Sequence, residues 1–399
     1  MNPLPKKIEA SIKTHNIDYV RFMWCDNAGI IRTKAVHTRF LSNYSGNYGV
    51  GISTAQQAVP VMYDAPSPGA DLTAFGEVHL KPDWETFTPL PYATGHARVF
   101  ANIYEDEKPW GHCPRTFLES AINNAKRQGF LFQSAFENEF YLVQTNNGVR
   151  TPFDRSLFAQ SYALDAAGEI LSEVTSALTA QDIHPEMVYA ESGNGQFEIP
   201  VHHRDALGAA DQQIAFRETV RAVAQKHEGI AASFVPKLFA DKAGCGAHLH
   251  MSLWGNGNNI IADSKNPNKL SKKAEAFIAG ILHHLPALMC ITTPSTNSYK
   301  RILPHFWSGA FACWGYSNRE AAVRVPRIGQ KQPVTNIELK TVDPSCNPYL
   351  ALGAVVTAGL HGIEKNMTLS QPVETDPGNY SKQELKIRHI LRLPTTLGE

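Results

Sequence analysis

The stretch Phe136-Glu-Asn-Glu-Phe-Tyr-Leu142 sets two carboxylates, Glu137 and Glu139, inside an otherwise apolar run. Alternate residues of a β-strand point to the same face of its sheet, so we expect both carboxylates on one face. Carboxylates that are close together and desolvated by apolar neighbours either have strongly raised pKa values or bind a cation between them. A strand edge with two solvated glutamates is the alternative, and this stretch alone does not decide between them.

Two further segments carry similar residues at strand spacing. In Glu191-Ser-Gly-Asn-Gly-Gln-Phe-Glu198, small residues allow the chain to fold back, so that two more carboxylates can converge. In Gly244-Cys-Gly-Ala-His-Leu-His-Met-Ser252, His248, His250 and Ser252 share one strand face, and the glycines would let backbone come close to a ligand. A lone histidine is more often a satisfied core residue, but His-x-His-x-Ser after Gly-x-Gly favours a functional interpretation.

The C-terminal part adds a carboxylate and several cations. The segment Asn336-Ile-Glu-Leu-Lys340 alternates, which puts Glu338 and Lys340 on one strand face. Between it and the histidines lie three arginines, Arg301, Arg319 and Arg324. Single arginines usually form surface ion pairs that contribute little to stability. Planar, permanently charged guanidinium groups are nevertheless what carboxylate and phosphoryl recognition requires.

The composition predicts a globular protein without a broad basic surface. The chain has 399 residues, 43% hydrophobic and 19% charged, which is long enough for two domains. Its 37 Lys and Arg residues balance 37 Asp and Glu residues, which argues against nucleic acid as a main partner. Six widely spaced cysteines are interpreted as reduced thiols. Because no run of 18 apolar residues and no apolar leader occurs, we expect a cytoplasmic protein without a membrane partner.

Two domains are predicted, residues 1–104 and 105–399, with the boundary in a polar stretch at 104–109. The first contains a hairpin whose strands, 18–24 and 30–36, flank a turn. The second alternates helices with strands and is therefore assigned to the α+β class. Its predicted helices are 114–128, 205–227 and 274–290, and its predicted strands are 131–143, 233–237 and 247–253.

The order of the motifs resembles that of the glutamine synthetase family. The motifs E-x-E, E-x6-E, H-x-H-x-S, a single R, N-R-x4-R and E-x-K span nearly the whole chain, and the segments 298–301 and 343–349 are similar to further family signatures. The resemblance implies an N-terminal β-grasp domain and a larger catalytic domain whose curved antiparallel sheet, flanked by helices, forms a funnel-shaped site. It also implies a ring-shaped homo-oligomer in which one subunit's N-terminal domain closes its neighbour's site.

The resemblance further implies a site for two or more divalent cations. The implied ligands are Glu139, Glu191 and Glu198 for one ion and Glu137, His248 and Glu338 for a second. Five carboxylates and one imidazole are hard, mostly oxygen ligands, which suit Mg²⁺ or Mn²⁺ better than a thiolate-bound zinc.

The implied reaction uses ATP to convert a substrate carboxylate into an acyl phosphate, which an amine attacks to give an amide, ADP and phosphate. The matching contacts are His250, Ser252, Arg319 and Arg324 for the nucleotide and Gly244 and Arg301 for the amino-acid substrate. In this scheme Arg319 and Arg324 stabilise the charge of the transferring phosphoryl group. Since the chain contains no Walker loop, the sheet and the metals would hold ATP.

The residues that depart from the family pattern stand at positions that, in the family, lie near the amine or the acid substrate. Trp307 stands where the family has a flap glutamate that takes a proton from bound ammonium. Lys340 replaces an arginine that grips the substrate carboxylate, so charge is kept but the bidentate fork is lost. Asn336 stands where an arginine is usual, and the Asp-Gly-Ser-Ser latch of the ammonium pocket is missing from the nearest stretch, 50–56.

All six implied metal ligands are nevertheless present, and a decayed relative would be expected to lose unpaired carboxylates. The sequence therefore predicts an ATP-dependent ligase that joins glutamate, or an analogue, to an organic amine or polyamine. One alternative is ordinary glutamine synthetase in which another group replaces the flap glutamate. A second is a non-catalytic, ring-forming scaffold or nitrogen sensor, which need not bind Mg-ATP.

Overall fold

The computed structural model describes residues 4–46, 49–62, 64–329 and 332–399, and two β-sheets organise them. The elements of the first part are α1 (Lys6–Thr14), β1 (Tyr19–Cys25), β2 (Ile31–His37), β3 (Val50–Ser53), β4 (Glu77–Pro89), β5 (His96–Glu105) and β6 (Lys108–Pro109). The order in this sheet is β2-β1-β5-β4-β3, with β6 paired to β5. The antiparallel pairing of β1 with β2 confirms the predicted hairpin. The sheet continues beyond residue 104, and the division into 1–104 and 105–399 stays a prediction.

The second sheet surrounds one long central strand. Its strands are β7 (Leu131–Asn146), β8 (Val149–Pro152), β9 (Tyr189–Ala190), β10 (Gln196–Pro200), β11 (Arg204–Asp205), β12 (Ile230–Ser233), β13 (Ala247–Gly255), β14 (Asn258–Asn259), β15 (Phe311–Tyr316), β16 (Ala321–Val325), β17 (Ile337–Leu339) and β18 (Leu391–Arg392). The main order is β18-β15-β16-β17-β13-β7-β10-β9, and all pairs in it are antiparallel except β15 with β16. The predicted strands 131–143 and 247–253 are confirmed.

Seven further helices accompany this sheet in the described ranges. They are α2 (Pro114–Arg127), α3 (Ser161–Ala166), α4 (Gly168–Thr179), α5 (Ala206–Ala224), α6 (Lys272–Thr292), α7 (Pro348–Glu364) and α8 (Lys382–Ile387). The predictions for α2, α5 and α6 are therefore confirmed to within a few residues. Apolar faces of α2, α5, α6 and α7 pack with the sheet in one continuous core.

The prediction of a strand at 233–237 is wrong. The strand at this place, β12, ends at Ser233 after pairing with β7, where Ile230 lies opposite Gln144. Pro236 has no backbone N–H to donate to a ladder, so the chain leaves the sheet before it. Lys237 then donates its backbone N–H to Asn297 Oδ1 at 2.7 Å.

Helix α6 is a core helix that contacts α7 very closely. By length and composition it could cross a membrane, but 56% of its most apolar window is buried inside the molecule. At the crossing, an ideal Cβ on Gly280 would lie 2.3 Å from the Ala358 carbonyl oxygen and 2.7 Å from Gly362 Cα. Glycine at both positions is what allows the two backbones to approach.

A buried arginine joins the first sheet to the helices of the second. Arg115, at the start of α2, donates to both carboxylate oxygens of Asp211 on α5, at 3.0 and 2.9 Å. It also donates to Asp83 of β4 at 2.8 Å and to Asn102 of β5. Tyr349 of α7 donates to Asp211 at 2.6 Å. The relative position of the two sheets is thus fixed by hydrogen-bonded charges as well as by apolar contact.

Candidate active site

The register of four strands gathers the predicted site residues. Glu137 of β7 lies opposite His248 of β13, and Glu139 of β7 lies opposite Glu198 of β10. On the far side of β13, His250 lies opposite Glu338 of β17. Because alternate residues of each strand share a face, these side chains converge over the middle of the sheet.

They line a cavity of about 1130 Å³. The predicted site residues on its wall are Glu137, Glu139, Glu191, Glu198, Gly244, His248, His250, Ser252, Arg301, Trp307, Arg319, Arg324 and Lys340. Glu338 is the exception, because it is fully buried behind the wall. The structure therefore brings the whole predicted set together in one place.

Two histidines surround the carboxylate of Glu137. His248 Nδ1 lies 3.2 Å from Glu137 Oε2 and 3.3 Å from Glu338 Oε1, and His250 Nε2 lies 3.4 Å from Glu137 Oε1. Burial alone would raise the pKa of Glu137, but hydrogen bonds from both histidines outweigh it and lower that pKa. Burial and the nearby charge of Lys340 lower the pKa of His248 to about 4. His248 is therefore neutral near pH 7 and offers a lone pair.

The other carboxylates repel one another. Burial, together with the charge of Glu191, raises the pKa of Glu139 to about 7. Burial and the charges of Glu137 and Glu139 hold the pKa of Glu198 well above its usual range, and burial also raises the pKa of Glu191. Tyr189 donates its hydroxyl to Glu198 Oε1 at 2.6 Å, a contact that the sequence did not suggest. Buried carboxylates this close together need a nearby positive charge to be ionised at low cost.

A divalent cation fits this donor set. Ligand atoms of Glu137, His250 and Glu338 lie within 4.8 Å of one another, and so do those of Glu137, Glu198 and His248. Carboxylate oxygens with one or two imidazoles suit Mg²⁺ or Mn²⁺. This grouping differs from the one that the resemblance implies, because Glu137 belongs to both sets and His250, expected at the nucleotide, belongs to one.

Two cations hold Glu338 ionised beneath the cavity. Lys340 Nζ donates to Glu338 Oε1 at 3.0 Å, and Arg324 Nε donates to Oε2. Burial would raise the pKa of Glu338, but Lys340, the two neighbouring histidines and Arg324 lower it. The predicted substrate contact Lys340 thus lies on the cavity wall with its ammonium group on an implied metal ligand.

The glycines before β13 make room for neighbouring side chains, and Gly244 also lies on the cavity wall. An ideal Cβ on Gly244 would lie 2.5 Å from Arg301 Cγ, and one on Gly246 would lie 2.6 Å from His248 Nε2. Arg301, which is buried, donates to the Lys340 carbonyl oxygen at 3.0 Å. Glycine at these two positions therefore allows close packing around Arg301 and His248, and the expected approach of backbone to a ligand stays a prediction.

Two side chains contact the predicted nucleotide residues His250 and Ser252. Asn336 Oδ1 lies 3.0 Å from His250 Nδ1, so the residue that departs from the family pattern contacts the histidine directly. Trp254 donates its indole N–H to Ser252 Oγ at 2.9 Å. Both contacts orient groups that face the cavity.

Trp307 lies on the wall of the cavity, in the loop that precedes β15. The residue is 48% exposed, and its ring meets that of Phe158 edge to face, with centroids 6.0 Å apart. The guanidinium of Arg319 lies 5.7 Å from the centre of the indole. The backbone N–H of Trp307 donates to Glu320 Oε1 at 2.9 Å. Phe158 and Glu320 carried no signal in the sequence.

Comparisons with known proteins identify the family to which the chain is similar. Residues 111–399 match the family model "Glutamine synthetase, catalytic domain". Type-1 glutamine synthetase 1 of Dictyostelium discoideum is 33% identical over 97% of this chain and 85% of its own length. Gamma-glutamylpolyamine synthetase GlnA3 of Streptomyces coelicolor is 34% identical over 94% of this chain and 82% of its own length.

Solved structures show the same fold. A novel glutamine synthase homolog superposes with a TM-score of 0.83, at 30% identity, over 100% of this chain and 88% of its own. A complex of GmaS with ADP superposes with a TM-score of 0.85, at 28% identity, over 97% of this chain and 87% of its own. These matches confirm the predicted α+β fold with its curved sheets.

The family evidence also accounts for the chemistry of the cavity. ATP and a divalent cation, Mg²⁺ or Mn²⁺, are the cofactors of this family, and the carboxylate and imidazole groups described above fit the cation. Since the family model covers most of the chain and the relatives cover nearly all of it, the chain belongs to the glutamine synthetase family and is an ATP-dependent ligase that forms amide bonds.

Proposed function

We propose that the protein joins the γ-carboxylate of glutamate, or of a close analogue, to the amino group of an organic amine. ATP transfers its terminal phosphoryl group to the carboxylate. The amine nitrogen then bonds to the acyl carbon, the carbon–oxygen bond to phosphate breaks, and the nitrogen loses a proton. The observation that carries the proposal is Trp307, whose indole lies on the cavity wall. The sequence resemblance matches this position to the family's flap glutamate.

An indole favours an organic amine over ammonia for two physical reasons. It cannot act as a base at neutral pH, so it cannot do what the flap glutamate does for ammonium. Its π face can bind an alkylammonium group, and its bulk can line a pocket for an apolar substituent. Phe158, Phe306 and Met187, all substantially exposed, lie on the wall of the same cavity.

The remaining residues of the site have distinct roles in this proposal. Divalent cations, when bound, neutralise phosphate oxygens during transfer. The proposed cation ligands are Glu137, Glu139, Glu191, Glu198, His248 and Glu338; the proposed nucleotide and phosphoryl contacts are His250, Ser252, Arg319 and Arg324; and the proposed amino-acid contacts are Gly244, Arg301 and Lys340. All of these line the cavity except Glu338, which lies directly behind its wall.

Glutamine synthesis from ammonia is the second candidate. Glutamine synthetases of Dictyostelium discoideum and Methanocaldococcus jannaschii are as similar to the chain as the gamma-glutamylpolyamine synthetase is, at 33 to 34% identity. Identity at this level therefore does not choose the amine. The non-catalytic scaffold considered from the sequence is set aside, because the family forms amide bonds and the donor cluster is intact.

The test is Mg²⁺-dependent phosphate release from ATP by the purified protein with glutamate, comparing ammonia with mono-, di- and polyamines. We expect release with an organic amine and little with ammonia. Trp307→Glu should shift the preference toward ammonia, by roughly tenfold or more in kcat/KM, because it restores an acidic group at the flap. Trp307→Phe is the matched control, since it keeps an aromatic wall. Efficient glutamine formation by the unaltered protein, with organic amines ignored, would overturn the proposal.

We also propose that the protein is a cytoplasmic, ring-shaped homo-oligomer with sites between subunits. Support comes from apolar side chains on the first part of the molecule, where Val61, Met62 and Phe75 are 73%, 86% and 92% exposed. Large apolar side chains exposed to this degree favour burial against another protein surface. Light scattering should therefore give a multiple of 44.0 kDa, and a monomeric mass would contradict the ring.

A further inference from the structure

The loop that carries Trp307 has an unusual backbone. His305 has φ +66°, Trp307 has φ +53°, and Gly309 has φ +74°, so three alternate residues lie in the left-handed region. Glycine adopts this region without cost, but it is uncommon for other residues and costly for bulky ones. Such conformations persist where the surrounding structure holds them. The hydrogen bonds of the loop show which residues hold it in this conformation.

The buried carboxylate of Glu320 is the first of these contacts. Glu320 is only 7% exposed, and its Oε1 accepts the backbone N–H of Trp307 at 2.9 Å. The same carboxyl group is also hydrogen-bonded by the backbone of His305. One side chain therefore holds the two non-glycine residues of the loop that have positive φ.

Glu320 is itself fixed by its surroundings. It lies in the turn between β15 and β16, and its backbone N–H donates to Asn318 Oδ1 at 3.0 Å. The amide of Asn318 donates in turn to the carbonyl oxygens of Val373 and Thr375, at 2.8 and 3.0 Å. A carboxylate anchored in this way can impose its geometry on the loop rather than follow it.

A second acid holds the other end of the loop. His305 Nδ1 lies 2.6 Å from Asp376 Oδ2, in the C-terminal segment that also binds Asn318. This pair is half exposed on the histidine side. It restrains His305 but does not touch Trp307, which leaves Glu320 as the acid in direct contact with the tryptophan backbone.

Glu320 does not replace the missing base of the family. It is absent from the residues that line the cavity, and its oxygen faces the loop backbone. Its neighbour Arg319 does line the cavity and lies against the indole. Adjacent residues of one turn thus contact Trp307 from two sides, one at its backbone and one at its ring.

We propose that Glu320 is a positioning residue for amine selection, because its carboxylate holds the strained loop in the conformation that presents the Trp307 indole to the cavity. The inference deepens the proposed function and rests on it. Loss of this acceptor should release the loop and move the indole. Binding of the amine should then weaken, while binding of ATP and glutamate should not.

The kinetic test compares Glu320→Ala with Glu320→Gln. The alanine variant should raise the KM for the preferred amine about tenfold, while the KM values for ATP and glutamate stay within about twofold. The glutamine variant keeps an oxygen that can accept the same N–H, so it should restore most of the amine affinity. Glu364→Ala, at an exposed position near the end of α7, is the control for removal of a carboxylate. Equal losses for all three substrates would show a merely structural role and overturn the proposal.

A spectroscopic test needs no substrate. Acrylamide quenching attributable to Trp307, taken as the difference from Trp307→Phe in the same background, should increase in Glu320→Ala and stay unchanged in Glu320→Gln. If the alanine variant does not fold, Glu320→Asp shortens the side chain by one methylene and tests the same contact. Unchanged quenching and unchanged amine KM together would overturn the proposal. If the unaltered protein uses only ammonia, the proposed function fails, whereas the quenching result still reports whether Glu320 positions Trp307.

Discussion

At the scale of single residues, the site contains carboxyl groups with lowered pKa values beside carboxyl groups with raised ones. Glu137 and Glu338 each face histidines or cations, which lower their pKa values against the effect of burial. Glu139 and Glu198 face other carboxylates, and their pKa values are raised. Environment rather than residue type therefore decides which groups give up a proton when a cation binds.

A pH dependence follows from Glu139. Its pKa is about 7 in the folded protein, against 4.5 normally, so in the absence of metal it favours unfolding increasingly as the pH rises between these two values. A divalent cation binds the ionised form and removes this penalty. The rise in Tm caused by Mg²⁺, relative to a chelator, should therefore grow as the pH increases toward 7 and then level off. Glu139→Gln should flatten the profile, and a profile that is already flat in the unaltered protein would contradict cation binding by Glu139.

At the scale of elements, the sequence predicts the helices and strands whose residue pattern is local. Period-2 alternation identified the hairpin, β7 and β13, and helical spacing identified α2, α5 and α6. The predicted strand at 233–237 is wrong because Pro236 cannot donate to a strand ladder, although the residues around it are apolar. Phe158 and Glu320 contact Trp307 in space but are distant from it in the sequence. No rule of strand or helix spacing therefore pairs them with it. Tyr189 could have been predicted near the site, since it lies two residues before Glu191 and alternate residues of a strand share a face.

The contact between α6 and α7 makes a prediction at this scale. In Gly280→Ala, the new Cβ would lie 2.3 Å from a backbone oxygen of Ala358, which no side-chain movement can relieve. The helices must separate, and we expect a loss of about 1–3 kcal/mol in the free energy of unfolding. Gly111→Ala is the matched control because nothing lies within 4 Å of its Cβ position. Chemical denaturation measures both variants, and equal stabilities would show that the helices do not need this close approach.

At the scale of the whole molecule, the two sheets are joined by charge. Arg115 binds Asp83 and Asn102 from the first sheet and Asp211 from α5, and it is only 3% exposed. Only its contact with Glu119, four residues further along α2, is local, and its other partners come from three distant elements, so no spacing in the sequence marks the whole network. The position of one sheet relative to the other is therefore a tertiary property.

Arg115→Met should uncouple the two parts. The substitution leaves the carboxylate of Asp211 without its cation, which costs about 3 kcal/mol for a buried pair. We expect calorimetry to show an earlier transition of the first part, separated from that of the second. Lys7→Met, which removes the exposed ion pair with Glu85, is the control and should change little. A single, unshifted transition in Arg115→Met would contradict this role.

The proposed cation ligands and Trp307 lie in different kinds of structure. Glu137, Glu139 and Glu198 sit in a hydrogen-bonded ladder, where a shift of one residue would turn every donor to the opposite face. Trp307 sits in a loop outside that ladder, held by the turn at Glu320. Under the proposed function, the residues for phosphoryl transfer and the residue that selects the amine are thus held by separate parts of the fold. Under the proposed function, alterations in this loop and its anchor would change the acceptor, so new amine specificities could evolve on this scaffold while the catalytic ladder stays as it is.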